Sequence, residues 1–448
     1  MFLLRPDRRR ARLVGTTAAL AAALLVTVVP AQGAPSPTPA AASASAPDSR
    51  AATSGGLDRK ALGAALDAVH TAGMYGANAA VRDGTQRWLG ATGVADIGTG
   101  RPMRPNLQYR VGSVTKAFTS VAVLQQVAKG RIDLDAPIGR YLPETVPGER
   151  GRAITVRMLL NHTSGIGDYV LGAFPSLGQS STKSLDDNRF RRFSPEELAR
   201  LGLDAAPTGK PGEKWSYSNT NYVIAGMLIR KVTGEDAEAY ITRAVIQKAG
   251  LRDTYFPRSP RIAGPHPRMY ESFYGLIDPP RDYSVYDMSW AGTAGALVST
   301  TADLEDFYRK LLRGRLLPAA QLHEMQSTVP VLDDAGTTVM NYGLGVYVVE
   351  LPCGRFWGHD GAVFGAGANV LSSADGKRQL ALTYNLMKYQ KVGPDGKLEP
   401  SPIDAAFNAL ALQALCPAGT GERPARPAAP AVPLPRTQDL APATAPRR

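Results

Sequence analysis

The sequence predicts an α/β (α+β) fold: an antiparallel sheet flanked by helices, built from both chain ends, with a mostly helical domain inserted between them. Three observations predict it. Strand-like segments lie near the start and again near the end. The stretch from about 131 to 300 reads as short helices and long loops. One segment, 111–130, reads as a helix apolar nearly all round, which belongs in the middle of a domain. With 44% hydrophobic and 20% charged residues in 448, there is ample apolar material for such a core.

The first element is a targeting segment. Arg5, Arg8, Arg9, Arg10 and Arg12 precede an apolar run from Leu13 to Val29, followed by the small residues Ala31, Gly33 and Ala34. That order reads as a cleaved signal peptide over 1–33 and a secreted, extracellular protein, with a retained anchor as the alternative. The arginines leave the Sec and twin-arginine routes both open. Residues 34–56, rich in Ala, Ser and Pro, read as a disordered leader, and 57–416 as the folded domain. Within it, Leu62, Ala65, Leu66 and Val69 share one helical face. Ala77–Val81 and Trp88–Val94 read as a hairpin about Asp83-Gly84. The 111–130 helix ends at Gly130.

Long loops are expected at Pro175–Phe193 and Pro257–Ser289. Strands follow at Val346–Val349, Arg355–His359, Gly367–Leu371 and Gln379–Tyr384, the last pair joined by an Asp375-Gly376 turn. A helix runs from about Ile403 to Leu415, and 417–448 reads as a disordered Pro/Ala-rich tail. No other stretch is long and apolar enough to span a bilayer.

The net charge of +12 does not point to nucleic acid: residues 1–33 carry four of it and 417–448 three, and no dense Lys/Arg tract with interleaved aromatics exists. Cys353 and Cys416 in an exported chain suggest one disulfide, with two buried thiols as the alternative. Their spacing fits no metal site, and no cofactor is expected.

Chemistry enters with Ser113-Val114-Thr115-Lys116 at the start of the buried helix. A serine there has its own N–H free beside the positive end of the dipole. A lysine three residues on shares its face, and burial lowers a lysine's proton affinity enough for it to activate a hydroxyl. Helix N-capping is the competing job for Ser113. Ser180-Ser181-Thr182-Lys183 has the same spacing in a polar loop, where nothing would desolvate the lysine. Tyr217-Ser218-Asn219 precedes an apolar helix and offers a phenol for proton transfer and an amide for orientation. His359-Asp360-Gly361 ends a strand.

These three motifs, in this order, resemble the S-x-x-K, Y-x-N and K/H-x-G set of the serine β-lactamase and penicillin-binding protein superfamily. Tyr109-Arg110-Val111-Gly112, Leu159-Leu160-Asn161-His162-Thr163-Ser164-Gly165 and Ser289-Trp290-Ala291 with Gly295 strengthen the likeness. It is nearest to the secreted serine D-alanyl-D-alanine carboxypeptidase type, whose fold is β-lactamase/transpeptidase-like. The resemblance implies Ser113 as acyl-forming nucleophile and Lys116 and Tyr217 as proton-transfer partners. It implies Asn219 as holder of the substrate amide and His359 as a source of positive or hydrogen-bonding character. The N–H groups of Ser113 and Ala362 would form the oxyanion hole. Phe174, Trp290, Asp360 and Gly361 would line the substrate cleft, and Cys353 would be bridged to Cys416.

The expected function is D-alanyl-D-alanine carboxypeptidase on peptidoglycan-type peptides. The expected partners are a small peptide or ester, possible stem peptides and covalently bound β-lactams, for a monomer without nucleic acid or a membrane span after cleavage. An esterase, a D-amino-acid peptidase or a β-lactamase are alternatives of the same chemistry. A penicillin-binding sensor that does not turn over is the alternative of another class. Asp360, Ala362 and Tyr347 stand where relatives that release terminal D-Ala carry carboxylate-holding groups, so the substrate stays open.

Overall fold

The structure, a computed structural model, describes residues 56–416 other than 334 and 395–397. The expected signal peptide, the leader up to residue 55 and the tail from 417 lie outside the described residues. Among the described residues no helix is long and apolar enough to cross a membrane.

Helix α1 (Arg59–Thr71) starts where the Asp58 carboxylate accepts from Ala61 N at 2.9 Å, and it buries Leu62, Leu66 and Val69. The hairpin follows as β1 (Gly76–Asp83) and β2 (Gln86–Asp96), turning at Gly84 with φ 58°. These strands join a nine-stranded sheet. Its other strands are β3 (Arg101–Pro102), β4 (Val329–Leu332), β5 (Thr338–Tyr342), β6 (Tyr347–Leu351), β7 (Gly354–Val363), β8 (Ala366–Ser373) and β9 (Arg378–Tyr384), in the spatial order β3-β2-β1-β9-β8-β7-β6-β5-β4. β1 pairs antiparallel with β9, Ala77 opposite Tyr384 and Asp83 opposite Arg378, so both chain ends do build one sheet.

Each face of the sheet is covered, as alternation along the strands requires. One face packs on α1 and on α6 (Pro402–Leu415) through Leu66, Phe356, Leu380, Phe407 and Leu410. The other packs on the helical region through Trp357, Val363 and Val370. There α2 (Thr115–Ala128) is buried from Thr115 through Gln126, which is why its sequence shows no polar face. Helices α3 (Pro195–Asp204), α4 (Asn219–Thr233) and α5 (Thr301–Leu312) complete that layer. Cys353, in the β6–β7 turn, is disulfide-bonded to Cys416 at the end of α6, with Cα atoms 5.4 Å apart.

The stretch read as a loop, Pro257–Ser289, also contributes strands. Tyr270–Glu271 pairs in parallel with Leu386–Met387 and antiparallel with Arg281–Asp282. Segments of two residues carry no period, so this small sheet leaves no mark in the sequence.

Candidate active site

Ser113 lies in a single 3₁₀ turn, Gly112–Val114, just ahead of α2 rather than within it. Its hydroxyl caps neither helical segment. Two glycines seat this turn against β7. Gly112 has φ 52°, and a Cβ on it would lie 2.6 Å from Ala362 N. A Cβ on Gly361 would lie 2.0 Å from Val111 O and 3.0 Å from Ser113 N. Without side chains at either place, the backbone of the Ser113 turn comes up close against that of β7 at Gly361 and Ala362.

Lys116 is fully buried, and its Nζ reaches Ser113 Oγ at 3.0 Å, Asn219 Oδ1 at 2.8 Å and Ala294 O at 2.8 Å. The rings of Tyr217 and Tyr222 flank it at 4.8 and 5.4 Å. Burial pulls the ammonium down to about 7, against the opposing pull of Asp168 and then Asp360. Three acceptors match an ammonium's three donors. Loss of one proton leaves a lone pair aimed at the Ser113 hydroxyl, so the group can serve as a base near neutrality. Tyr217 donates its O–H to Ser113 Oγ at 2.6 Å, which places the phenol and the amine on the same oxygen.

Two further residues, not singled out for any role in the sequence, fix this arrangement. Asp168 Oδ2 accepts from the N–H and from Nδ2 of Asn219, each at 2.8 Å, and its Oδ1 accepts from Val170 N at 2.8 Å. Burial raises this carboxyl, yet every group facing it is an N–H donor, which holds the anion. The Asn219 amide is thereby turned with its oxygen toward Lys116, and one N–H is left for a substrate. His162, at φ 60°, is fully buried and packs its ring 4.4 Å from that of Tyr217. Its Nδ1 accepts from Ser218 N at 3.2 Å, and desolvation keeps it neutral. The only signal for either residue was their place in or just after the Leu159–Gly165 segment.

The remaining expectations divide. Trp290 lines the cavity, but Phe174 stands behind it, edge to face at 5.6 Å and 1% exposed. Gly361 serves the close approach of β7 to the Ser113 turn rather than the cavity wall. His359 and Asp360 are buried and off the wall as well. His359 supplies no positive charge: burial, and then the neighbouring Lys116, lower it to about 3. Its Nδ1 faces the carbonyl of Asp360, which can only accept, so Nε2 accepts from the Tyr342 hydroxyl at 2.8 Å. Tyr347 is buried and receives Nδ2 of Asn369 at 3.3 Å. The second S-x-x-K lies on the surface, where Lys183 pairs with Asp187 at 2.6 Å.

Above Ser113 opens a cavity of about 810 Å³, whose walls include Leu171, Leu201, Trp290, Val363, Phe364 and Lys388. It is mostly apolar, as small-molecule sites are, with Tyr217, Asn219 and Asp168 among its polar groups near the serine and Asp204, Thr208, Tyr274 and Lys388 among those elsewhere on its walls. Among the described residues no group of His, Cys, Asp and Glu is arranged to hold a metal ion.

The comparisons agree with this geometry. Esterase EstB of Burkholderia gladioli is 36% identical over 213 residues, 45% of this chain and 53% of the esterase, so the chain spans about half the length of that relative. Penicillin-binding protein 4* of Bacillus subtilis (strain 168) is 27% identical over 346 residues, covering 74% of this chain and 71% of that protein. Among solved structures, a D-stereospecific amidohydrolase from Streptomyces sp. superposes with a TM-score of 0.69 at 35% identity, covering 80% of this chain and 99% of that one. The sequence model of the Beta-lactamase family matches residues 65–398, from α1 to the approach of α6. With that match and the buried lysine on Ser113, the chain belongs to the Beta-lactamase family and is a serine hydrolase of the β-lactamase and penicillin-binding protein superfamily.

Proposed function

We propose that the protein hydrolyses amides and peptides at D-amino acids with large apolar side chains, by way of an acyl-enzyme on Ser113. The observation that carries this reading is the character of the cavity around the serine. Its walls are mostly apolar, and its one lining cation among the described residues, Lys388, is held against the buried Glu271 at 3.1 Å. A terminal carboxylate therefore finds no uncompensated positive charge on these walls. Release of terminal D-Ala, the expectation from motifs alone, loses its support here. The likeness to the D-stereospecific amidohydrolase over nearly all of that chain supports the D configuration. EstB supports turnover of esters by the same steps.

In this reading neutral Lys116 accepts the Ser113 proton as Oγ bonds to the substrate carbonyl carbon. The N–H groups of Ser113 and Ala362 receive the oxyanion. Collapse breaks the C–N bond, and Tyr217, replenished from Lys116, protonates the leaving nitrogen. Water then attacks the acyl-enzyme by the same path in reverse. Export belongs to the proposal too, on the strength of the basic-apolar start and of the Cys353–Cys416 bridge, which suits an oxidising compartment.

The test is turnover of D- and L-phenylalanine p-nitroanilide beside benzylpenicillin, with intact-protein mass followed in time and Ser113→Ala as control. Hydrolysis of the D-anilide alone, lost in Ser113→Ala, is expected. Rapid benzylpenicillin turnover without D-anilide hydrolysis would sink the proposal.

A further inference from the structure

Lys388 is an unusual wall residue for so apolar a cavity. It follows β-paired Leu386–Met387, takes φ 47°, and carries its ammonium between the rings of Phe364 and Phe273, at 5.0 and 5.2 Å from their centroids. Its side chain is 13% exposed, and that of Glu271 is 0% exposed. The Glu271 carboxylate is itself fixed: Oε1 accepts from Phe273 N at 2.9 Å, and Oε2 accepts from Gly365 N and from Lys388 Nζ, each at 3.1 Å. Buried ion pairs add little to stability compared with apolar packing, so this one points to use. An ammonium has three donors, and Glu271 takes one; among the described residues no other polar partner engages Nζ.

Phe364 lies two residues past Ala362, in the turn that follows β7, hence at most roughly 7 Å from the oxyanion site. Lys388 stands just beyond its ring, so its free donors sit on the order of two to three residue lengths from the reacting carbonyl. A second cavity lies nearby, with one wall residue in common. Tyr274, which follows Phe273 and also takes positive φ at 60°, lines both the main cavity and a second one of about 570 Å³.

We propose that Lys388, held by Glu271, is a specificity residue that donates to a backbone carbonyl of an extended peptide substrate, which continues over Tyr274 toward the second cavity. The substrate class is thereby an oligopeptide containing D residues rather than a lone aminoacyl amide. A pair that is neutral as a whole yet has donors to spare suits a carbonyl oxygen better than a free carboxylate. The inference rests on the D-specific hydrolysis proposed above and narrows it.

Steady-state kinetics with the full chain test it. The probes are D-phenylalanine p-nitroanilide, the same anilide extended on the acyl side by three D-Ala, and D-phenylalanine extended on the leaving side by three D-Ala as the amide. Lys388→Met should cost at least about tenfold in kcat/KM on one extended peptide, through KM, while the minimal anilide stays within about twofold. Lys388→Arg should restore most of it. The double variant Lys388→Met/Glu271→Gln, which leaves no unpaired buried charge, should show the same loss. Equal losses on minimal and extended substrates, or none on either peptide, would overturn the inference alone. Wild-type inactivity on the minimal D-anilide would overturn the D-specific reading and this inference with it.

Discussion

Replacing Asp168 by Asn removes one buried charge while keeping the shape of the side chain, and its effect on the base can be worked out in advance. Lys116 Nζ and Asp168 are joined through the Asn219 amide by two hydrogen bonds of 2.8 Å. That chain sets the two charges roughly 6 Å apart, where an effective dielectric of about 20 gives on the order of 3 kcal/mol of attraction, or about two pKa units. Asp168 raises the Lys116 value, so its loss must lower it, from about 7 toward about 5. The acid limb of kcat/KM should therefore move to lower pH by about two units. The plateau should fall as well. An Asn in either orientation turns its NH₂ toward an N–H donor, and a charge-assisted bond of about 1.5–3 kcal/mol that orients Asn219 is lost, for about 10- to 150-fold in rate. The assay is a pH profile from 4 to 9 with the D-anilide, beside a thermal melt of the variant. A limb that stays near pH 7 while the plateau drops would refute the electrostatic reasoning and leave Asp168 as packing.

Two other expectations follow from the same site. His359 takes up a proton near 6.5 when unfolded but only near 3 when folded, so unfolding binds a proton between those values and stability falls as pH drops through that window. His359→Gln should flatten the pH dependence of urea unfolding there by about 1.4 kcal/mol per pH unit, and an unchanged slope would count against the buried neutral ring. Gly112→Ala places a methyl 2.6 Å from Ala362 N at a φ of 52°. It should cost about 1–3 kcal/mol of backbone strain and prise the two N–H groups apart, lowering acylation at least about a hundredfold, and near-normal acylation would remove the oxyanion role.

Much of the site was legible because its chemistry is written in local spacing. Ser113 lies three residues ahead of Lys116 where the chain enters α2, and Tyr217 lies two residues ahead of Asn219 where it enters α4, so sequence spacing and geometry agree closely. The sheet was legible for a similar reason: β1 and β7 to β9 are short, nearly continuous buried runs, and Gly-containing turns join β1 to β2, β7 to β8 and β8 to β9. Of the two characters expected of His359, positive or hydrogen-bonding, the structure shows the second, because burial decides whether imidazole carries charge and a residue type says nothing of burial. Residue type is equally silent on orientation, and Phe174 and Asp360 lie beside the cavity without lining it. Asp168 and Lys388 act through contacts with residues more than fifty positions away, Asn219 and Glu271, and no periodic pattern marks such pairs.

The antiparallel pairing of β1 with β9 sets an order of events for the nascent chain. Ala77 must wait for Tyr384, and the Ser113 turn must wait for Gly361 and Ala362, so neither sheet nor active centre can close until almost the whole chain has emerged. Contacts of such long sequence separation make folding slow and leave the opening hairpin with an unpaired edge meanwhile. A chain so arranged lacks its active centre, and is hydrolytically silent, through most of its own synthesis. A route across a membrane in the extended state would thus carry it over before it could act on anything on the side where it was made.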